Sequence, residues 1–254
     1  MSEIVEVAKS KDLYIVPDVD MPSHAGALLK ILKENNSELA KKIIMDGTDD
    51  TINYNDDDAI MFINAIYNQI ADIFSSQDTR YLSIGLDEVA GESTQLASYV
   101  NKINKYQNNN GFQLIVWNDS LLKKEISELD QNVIINYWSQ YGDQTDYIER
   151  SNNRISVSDV LSSNHQIINS NQENYYKIEN IGNSSNEDAF IEQFNRYFKP
   201  NYFDEVVNKQ KNHYTIENSN NSGSGYLISL WGENSSNITT EQIILFINKL
   251  SQIN

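Results

Sequence analysis

The residues of this chain best placed to do chemistry are Asp87 and Glu88, which end the run Tyr81-Leu82-Ser83-Ile84-Gly85-Leu86. A short apolar run that stops at two adjacent carboxylates reads as a buried strand delivering acids to the end where α/β proteins build active sites. Burial there raises a carboxyl pKa, and a like-charged neighbour raises it further. One acid can then stay protonated and donate a proton while the other stays charged. A plain strand-to-helix junction would also favour acids, through the helix dipole. The residues at the ends of the other strands separate these two possibilities.

Six β-branched or aromatic runs are expected as strands: Leu13–Val16, Tyr81–Ile84, Gln113–Trp117, Val133–Trp138, Gln166–Asn169 and Tyr226–Trp231. Between them lie helical patterns. In Ala59–Phe74, apolar residues at Ile60, Phe62, Ile63, Ile66, Ile70 and Ile73 repeat with a period of about 3.6. Further helices are expected near Ala25–Lys33, Ser93–Gln107, Leu121–Leu129, Glu187–Phe198, Tyr202–Gln210 and Thr240–Ile253. Strands alternating with helices predict an α/β fold with a parallel sheet covered by helices. The acidic run Asp46–Asp58 lacks the glycine and closing glutamate of an EF-hand loop and reads as a solvated loop, one of Asp56–Asp58 capping the next helix.

Each strand leads into residues suited to a sugar site. The first runs into Pro17-Asp18-Val19-Asp20-Met21-Pro22-Ser23-His24, the second into Asp87-Glu88, the third into Trp117-Asn118-Asp119 and the fourth into Tyr137-Trp138. The fifth precedes a loop with Tyr175 and Tyr176, and the sixth ends in Trp231-Gly232-Glu233. All three tryptophans of the chain thus lie at strand ends. A barrel with its site at the C-terminal mouth gathers them around one pocket. Aromatic walls with carboxylates suit a ligand with apolar ring faces and many hydroxyls.

Composition narrows the field. The 254 residues fit a single domain spanning 1–254, and a hydrophobic share of 39% supplies a sizeable core. The net charge of −17 argues against nucleic acid as a partner, since phosphate binding needs clustered Lys and Arg. No apolar run approaches the roughly 18–20 residues a membrane span requires. The N-terminus is acidic without an apolar segment, so no signal peptide is expected. There are no cysteines, which excludes disulfides and thiolate metal sites. Three histidines, His24, His165 and His213, are too few for a histidine-rich metal site, and neither metal nor cofactor is expected.

Taken in order, these motifs resemble family 20 glycoside hydrolases, the β-N-acetylhexosaminidases, from about Ala8 onward. The family's Ile-Pro-Glu-Ile-Asp-x-Pro-x-His is matched by Ile15 to His24, and its His-x-Gly-Gly-Asp-Glu by Ser83 to Glu88. Trp117-Asn118-Asp119, Tyr137-Trp138-Ser139 and Leu230-Trp231-Gly232-Glu233 match in order and spacing. The resemblance implies a (β/α)8 barrel and hydrolysis of β-linked N-acetylglucosamine, with poly-β-1,6-N-acetylglucosamine of biofilms as the expected polymer. It implies Glu88 as general acid and Asp87 as the group that orients the substrate's own 2-acetamido nucleophile, an exception to the two-carboxylate scheme. By the same resemblance Tyr176 hydrogen-bonds the acetamido oxygen and Trp117, Trp138 and Trp231 wall the sugar. Asp146 and Glu233 bind hydroxyls, and His24 lies near Glu88. A secreted or cell-surface enzyme is implied.

The sequence departs from that pattern. Ser83 stands for a family histidine, and Asp18 shortens a family glutamate. Leu86 stands for a glycine and is expected to pack with Ile84 toward the helices; should that position need positive φ, leucine there costs roughly 1–2 kcal/mol. The six strands align with strands three to eight, so an incomplete barrel of about six βα units is expected. The first two units, with the arginine of the first strand, are expected to be missing. A second chain, self-association or a longer gene would supply them. A carbohydrate-binding relic without turnover is the alternative reading.

Overall fold

The computed structural model describes residues 2–90, 95–142, 147–171, 175–217, 223–232 and 234–252; the side chains of 2, 147, 148, 175, 176, 223 and 224 are not described. Helices α1 (Ser2–Lys9), α2 (Gly26–Asn35), α3 (Ser37–Ile43) and α4 (Asp57–Phe74) precede β1 (Tyr81–Ser83). Next come α5 (Leu96–Asn109), β2 (Gln113–Trp117), β3 (Ile134–Tyr137), α6 (Tyr147–Asn153), α7 (Val157–Ser162), β4 (Ile167–Asn169) and β5 (Tyr175–Lys177). The chain continues through α8 (Ser184–Tyr197), β6 (Tyr202–Val207), β7 (Gln210–Thr215), β8 (Gly223–Tyr226), β9 (Ser229–Trp231) and α9 (Thr240–Leu250).

The main sheet is parallel, in the order β1-β2-β3-β4-β8. Its central strands bury both faces: Leu114, Val116 and Ile135 on one side are inaccessible to solvent, and Ile115 and Ile134 on the other are 8% and 3% exposed. Such continuous apolar runs are what a sheet covered by helices requires. On one side, Leu82, Ile84 and Leu86 join Tyr67 of α4 and Ile103 of α5 in the principal core. This is the incomplete (β/α) barrel expected from the sequence, with differences in its elements; Tyr175 and Tyr176, expected in a loop, lie in β5.

Leu13–Val16 is not a strand. Gln77 occupies the position of a strand neighbour instead: its side-chain amide accepts from Ile15 N–H at 2.7 Å and donates to Ile15 carbonyl at 2.9 Å. Leu13, Tyr14 and Val16 remain exposed, with no strand outside them among the described residues. Pairing with β1 begins only at residues 17–21, where Ser83 N–H donates to Pro17, and Val19 and Met21 donate to Ser83 and Ile84.

Leu121–Leu129 forms turns rather than a helix. Glu125 is buried there, and its carboxylate accepts from the backbone N–H of Leu122 at 3.3 Å and of Leu96, at the start of α5, at 3.0 Å. Tertiary pairing of this acid overrides local helix propensity. Tyr202–Gln210 is the hairpin β6–β7, not a helix. Asn208 and Lys209 both take positive φ, the two-residue turn that suits a hairpin twist. Glu205 anchors the hairpin, accepting from the N–H and hydroxyl of Ser158 on α7. Finally, Tyr226–Trp231 is two strands. β8 pairs with β4, and after Leu227 N–H donates to Asn169 carbonyl the chain changes partner, so that β9 pairs with β5. Asp56 caps α4 as expected, accepting from Ala59 N–H at 2.9 Å.

Candidate active site

The C-terminal ends of these strands enclose a cleft of about 430 Å³. Asp20, His24, Asp87 and Glu88 line one side; Trp117, Trp138 and Trp231 form aromatic walls, and Ser170, Lys177 and Ser229 complete it. The backbone after β1 turns sharply to present its acids. Gly85, Leu86 and Glu88 have φ of 77°, 86° and 49°, and His24 has 56°. A Cβ on Gly85 would stand 1.6 Å from Asp20 Oδ1, so the residues around Gly85 and Asp20 pack backbone against carboxylate. Leu86 N–H donates to that same Oδ1 at 3.3 Å.

His24 Nε2 lies 3.6 Å from Asp87 Oδ2 and 3.7 Å from Glu88 Oε2, so one imidazole faces both acids. Asp87 Oδ1 is buried without a donor among the described residues. The carboxyl of Asp20 lies beside Asp87. Burial lifts its pKa, and the negative Asp87 adds to the effect, to about 9. Two carboxylates side by side in a buried place resist ionising together, and burial favours a proton on Asp20. Asp18 is raised as well, by burial first, although the Ser83 hydroxyl at its side pulls it down. The serine that replaces the expected histidine therefore serves Asp18.

The walls are fixed by the tripeptide after β2. Trp117 and Trp138 meet edge to face, 6.5 Å between ring centres at 84°. Trp138 Nε1–H donates to Asp119 Oδ1 at 2.9 Å, and Glu88 N–H donates to Asp119 Oδ2 at 3.0 Å. Burial raises Asp119 to about 7 against the pull of these two donors. Trp231, on β9, is 43% exposed, whereas Trp117 is 7% exposed.

Of the residues singled out from sequence, the structure brings Asp87, Glu88, His24, Trp117, Trp138 and Trp231 to one mouth. Asp146 and Glu233 lie outside the described residues, and so does the side chain of Tyr176, whose backbone pairs with Leu230 in β5–β9. Sequence reasoning assigned no role to Asp20, Asp119, Ser170, Lys177 or Ser229. Asp20 and Asp119 sat inside the quoted motifs, where their position at strand ends was the available signal; Lys177 and Ser229 carried none. Among the described residues, Asp20, His24 and Asp87 could also hold a cation, their ligand atoms lying within 4.8 Å of one another. These residues line the same cleft, and acidic clusters are common without an ion.

A curled parallel sheet with paired acids and indole walls at its C-terminal mouth defines a (β/α)-barrel glycosidase domain. The sequence profile of the glycosyl hydrolase family 20 catalytic domain matches residues 1–97 and 91–246. The chain belongs to this family, the β-N-acetylhexosaminidases. Among solved structures it is similar to dispersin B, with a TM-score of 0.86 at 22% identity, over 98% of this chain and 73% of that one. It is also similar to a catalytic module of the pneumococcal exo-β-D-N-acetylglucosaminidase StrH, with a TM-score of 0.75 at 20% identity. That match covers all of this chain and 62% of the other; a second StrH structure, at a TM-score of 0.73 and 20% identity, is covered to 61%. The chain thus spans less than two thirds of the StrH chains. Among the described residues, no helix is long and apolar enough to cross a membrane.

Proposed function

We propose that the cleft hydrolyses β-linked N-acetylglucosamine with retention, using the substrate's acetamido group as nucleophile. The observation that carries this reading is the adjacency of Asp87 and Glu88 at the mouth, both faced by His24 and flanked by Trp117 and Trp138. Glu88 gives its proton to the glycosidic oxygen as the C1–O bond breaks. The acetamido carbonyl oxygen forms the new bond to C1, while the acetamido N–H faces Asp87. Water then attacks C1, with Glu88 taking its proton back, and the acetamido group is released. Asp20, beside Asp87, has its pKa raised by burial, which favours the proton of the neighbouring carboxyls on Asp20 in this proposal. Tyr176 on the acetamido oxygen, and Asp146 and Glu233 on sugar hydroxyls, are part of the same proposal.

The polymer proposed is poly-β-1,6-N-acetylglucosamine, and an exported enzyme is the setting that suits it. Binding without turnover is the second reading, favoured by the exposed edge at Leu13, Tyr14 and Val16. We propose that further βα units complete the barrel along that edge in the active form. The test is hydrolysis of a β-N-acetylglucosaminide with a poor leaving group, by this chain and by one extended at its N-terminus. Glu88→Gln should lower the rate on the order of 10²–10⁴-fold. Asp87→Asn should also be severely impaired. Wild-type rates in Glu88→Gln would overturn the assignment. Sugar binding without hydrolysis in both chains would establish the second reading.

A further inference from the structure

We propose that Asp119 is a positioning residue that locks the backbone of the general acid to the Trp138 wall. The inference rests on the reading of Glu88 as the acid. Its geometry stands by itself: the Asp119 side chain is wholly buried, and its two oxygens are spent on two different loops. Oδ2 takes the N–H of Glu88 and Oδ1 the indole N–H of Trp138. Glu88 has φ of 49°, a conformation that a non-glycine residue keeps only when its surroundings hold it there. The hydrogen bond to its N–H is such a restraint.

The neighbours of Asp119 act in the same direction. Asn118 donates to the carbonyl of Ser139 at 2.7 Å and accepts from Trp138 N–H at 2.9 Å. Ser120 Oγ accepts from Val89 N–H at 2.9 Å. Three consecutive buried side chains after β2 therefore tie the loop after β1 to the loop after β3. Asp119 alone of the three touches both the residue that carries the acid and the side chain that walls the sugar. The position needs a carboxylate. Asparagine has one oxygen and one NH₂, and an NH₂ cannot accept an N–H. Asp119→Asn must lose one of the two restraints while keeping the size of the side chain.

Two measurements on the full chain test this. In ¹⁵N–¹H spectra the three indole N–H signals are distinguished with a Trp138→Phe variant. In Asp119→Asn the Trp138 indole should shift and exchange with solvent at least about tenfold faster, or, if the amide turns its oxygen to the indole, the Glu88 amide should do so instead. The signal of Trp231 should stay in place. In kinetics, misplacing the acid by a fraction of an ångström to an ångström should lower kcat by up to the order of 10²-fold, with a smaller change in KM. A merely structural aspartate would lower thermal stability and leave kcat of the folded fraction unchanged. Unchanged protection of both N–H groups, or kcat within about threefold of wild type in a natively folded Asp119→Asn, would overturn the proposal. Failure of the underlying reading is separate: it shows as full activity in Glu88→Gln or as no activity in wild type, and the exchange measurement then decides the Asp119 link alone.

Discussion

Leu86 offers a test of the strained turn through a comparison of two truncations. The residue is fully buried in the principal core and has φ of 86°. These two facts pull in opposite directions. Removing the side chain should cost about 2–5 kcal/mol through lost burial and the cavity left behind. The left-handed backbone costs roughly 1–2 kcal/mol for any residue with a Cβ. Leu86→Ala incurs the cavity cost and keeps the backbone cost. Leu86→Gly loses one more buried methyl, worth about 0.8 kcal/mol, and removes the backbone cost, while its unfolded chain gains about 0.4–1 kcal/mol of conformational freedom. Both variants should therefore be less stable than wild type, with glycine within about 1 kcal/mol of alanine. At a buried position of ordinary backbone conformation glycine would fall below alanine by about 1.2–1.8 kcal/mol. Urea denaturation of the three proteins at one pH, read as midpoints with equal slopes, gives the comparison. Glycine below alanine by more than about 1 kcal/mol would refute the strained turn and, with it, the account of how the acids reach the cleft.

Gly85→Ala should be far more damaging, because its Cβ would meet the Asp20 backbone at 2.7 Å as well as its carboxylate; loss of cooperative unfolding or of soluble expression would register it, and near wild-type stability would contradict the packing. Asp20 has a folded pKa above its unfolded value, so the folded state keeps a proton that the unfolded chain has released. Stability should therefore fall as pH rises from about 4 toward about 9, and Asp20→Asn, neutral throughout, should show a flatter profile between about pH 5 and about pH 8. A wild-type slope in that variant would remove Asp20 as the proton holder. The charge of −17 should draw a partly deacetylated, cationic polymer to the protein. That binding should weaken as salt shortens the Debye length from about 10 Å at 0.1 M to about 3 Å at 1 M. A neutral N-acetylglucosamine oligomer should show little change, and equal salt dependence for the two would reduce the charge to a solubility device.

Much of the barrel was legible because its central strands are continuous apolar runs with a chemical residue at each end. Asp87, Trp117 and Trp138 illustrate this: burial sets the run, and the mouth sets the residue types just beyond it. The misread segments were those where a long-range partner replaces the local pattern. Gln77 takes the place of a strand beside Ile15, and Glu125 leaves a helical pattern in order to reach Leu96. Neither partner is near in sequence, so periodicity could not reveal it. The Tyr202–Gln210 error has another cause. Asn208-Lys209 is a weaker hairpin signal than a glycine-bearing pair, and Phe203 and Val206 fit a helical spacing as well as a strand. Asp20 and Asp119 were visible as letters in motifs, but their roles depend on which backbone N–H and which carboxyl lie opposite them.

The change of partner between β8 and β9 divides the walls of the cleft between two cores of unequal size. Trp117, Trp138 and the acids rest on the main sheet and its large core. Trp231 rests on the two-stranded β5–β9 ribbon, whose Leu230 packs into a separate small cluster around Ile181 and Phe246 of α9. An isolated two-stranded pair is marginal by itself, and a small core opens more readily than a large one. A sugar that packs on Trp231 would then bind in competition with opening of that second core. Affinity for the sugar is in this way tied to the packing of Phe246, so that Phe246→Ala would loosen ligand binding through the Trp231 wall while leaving the acids in place.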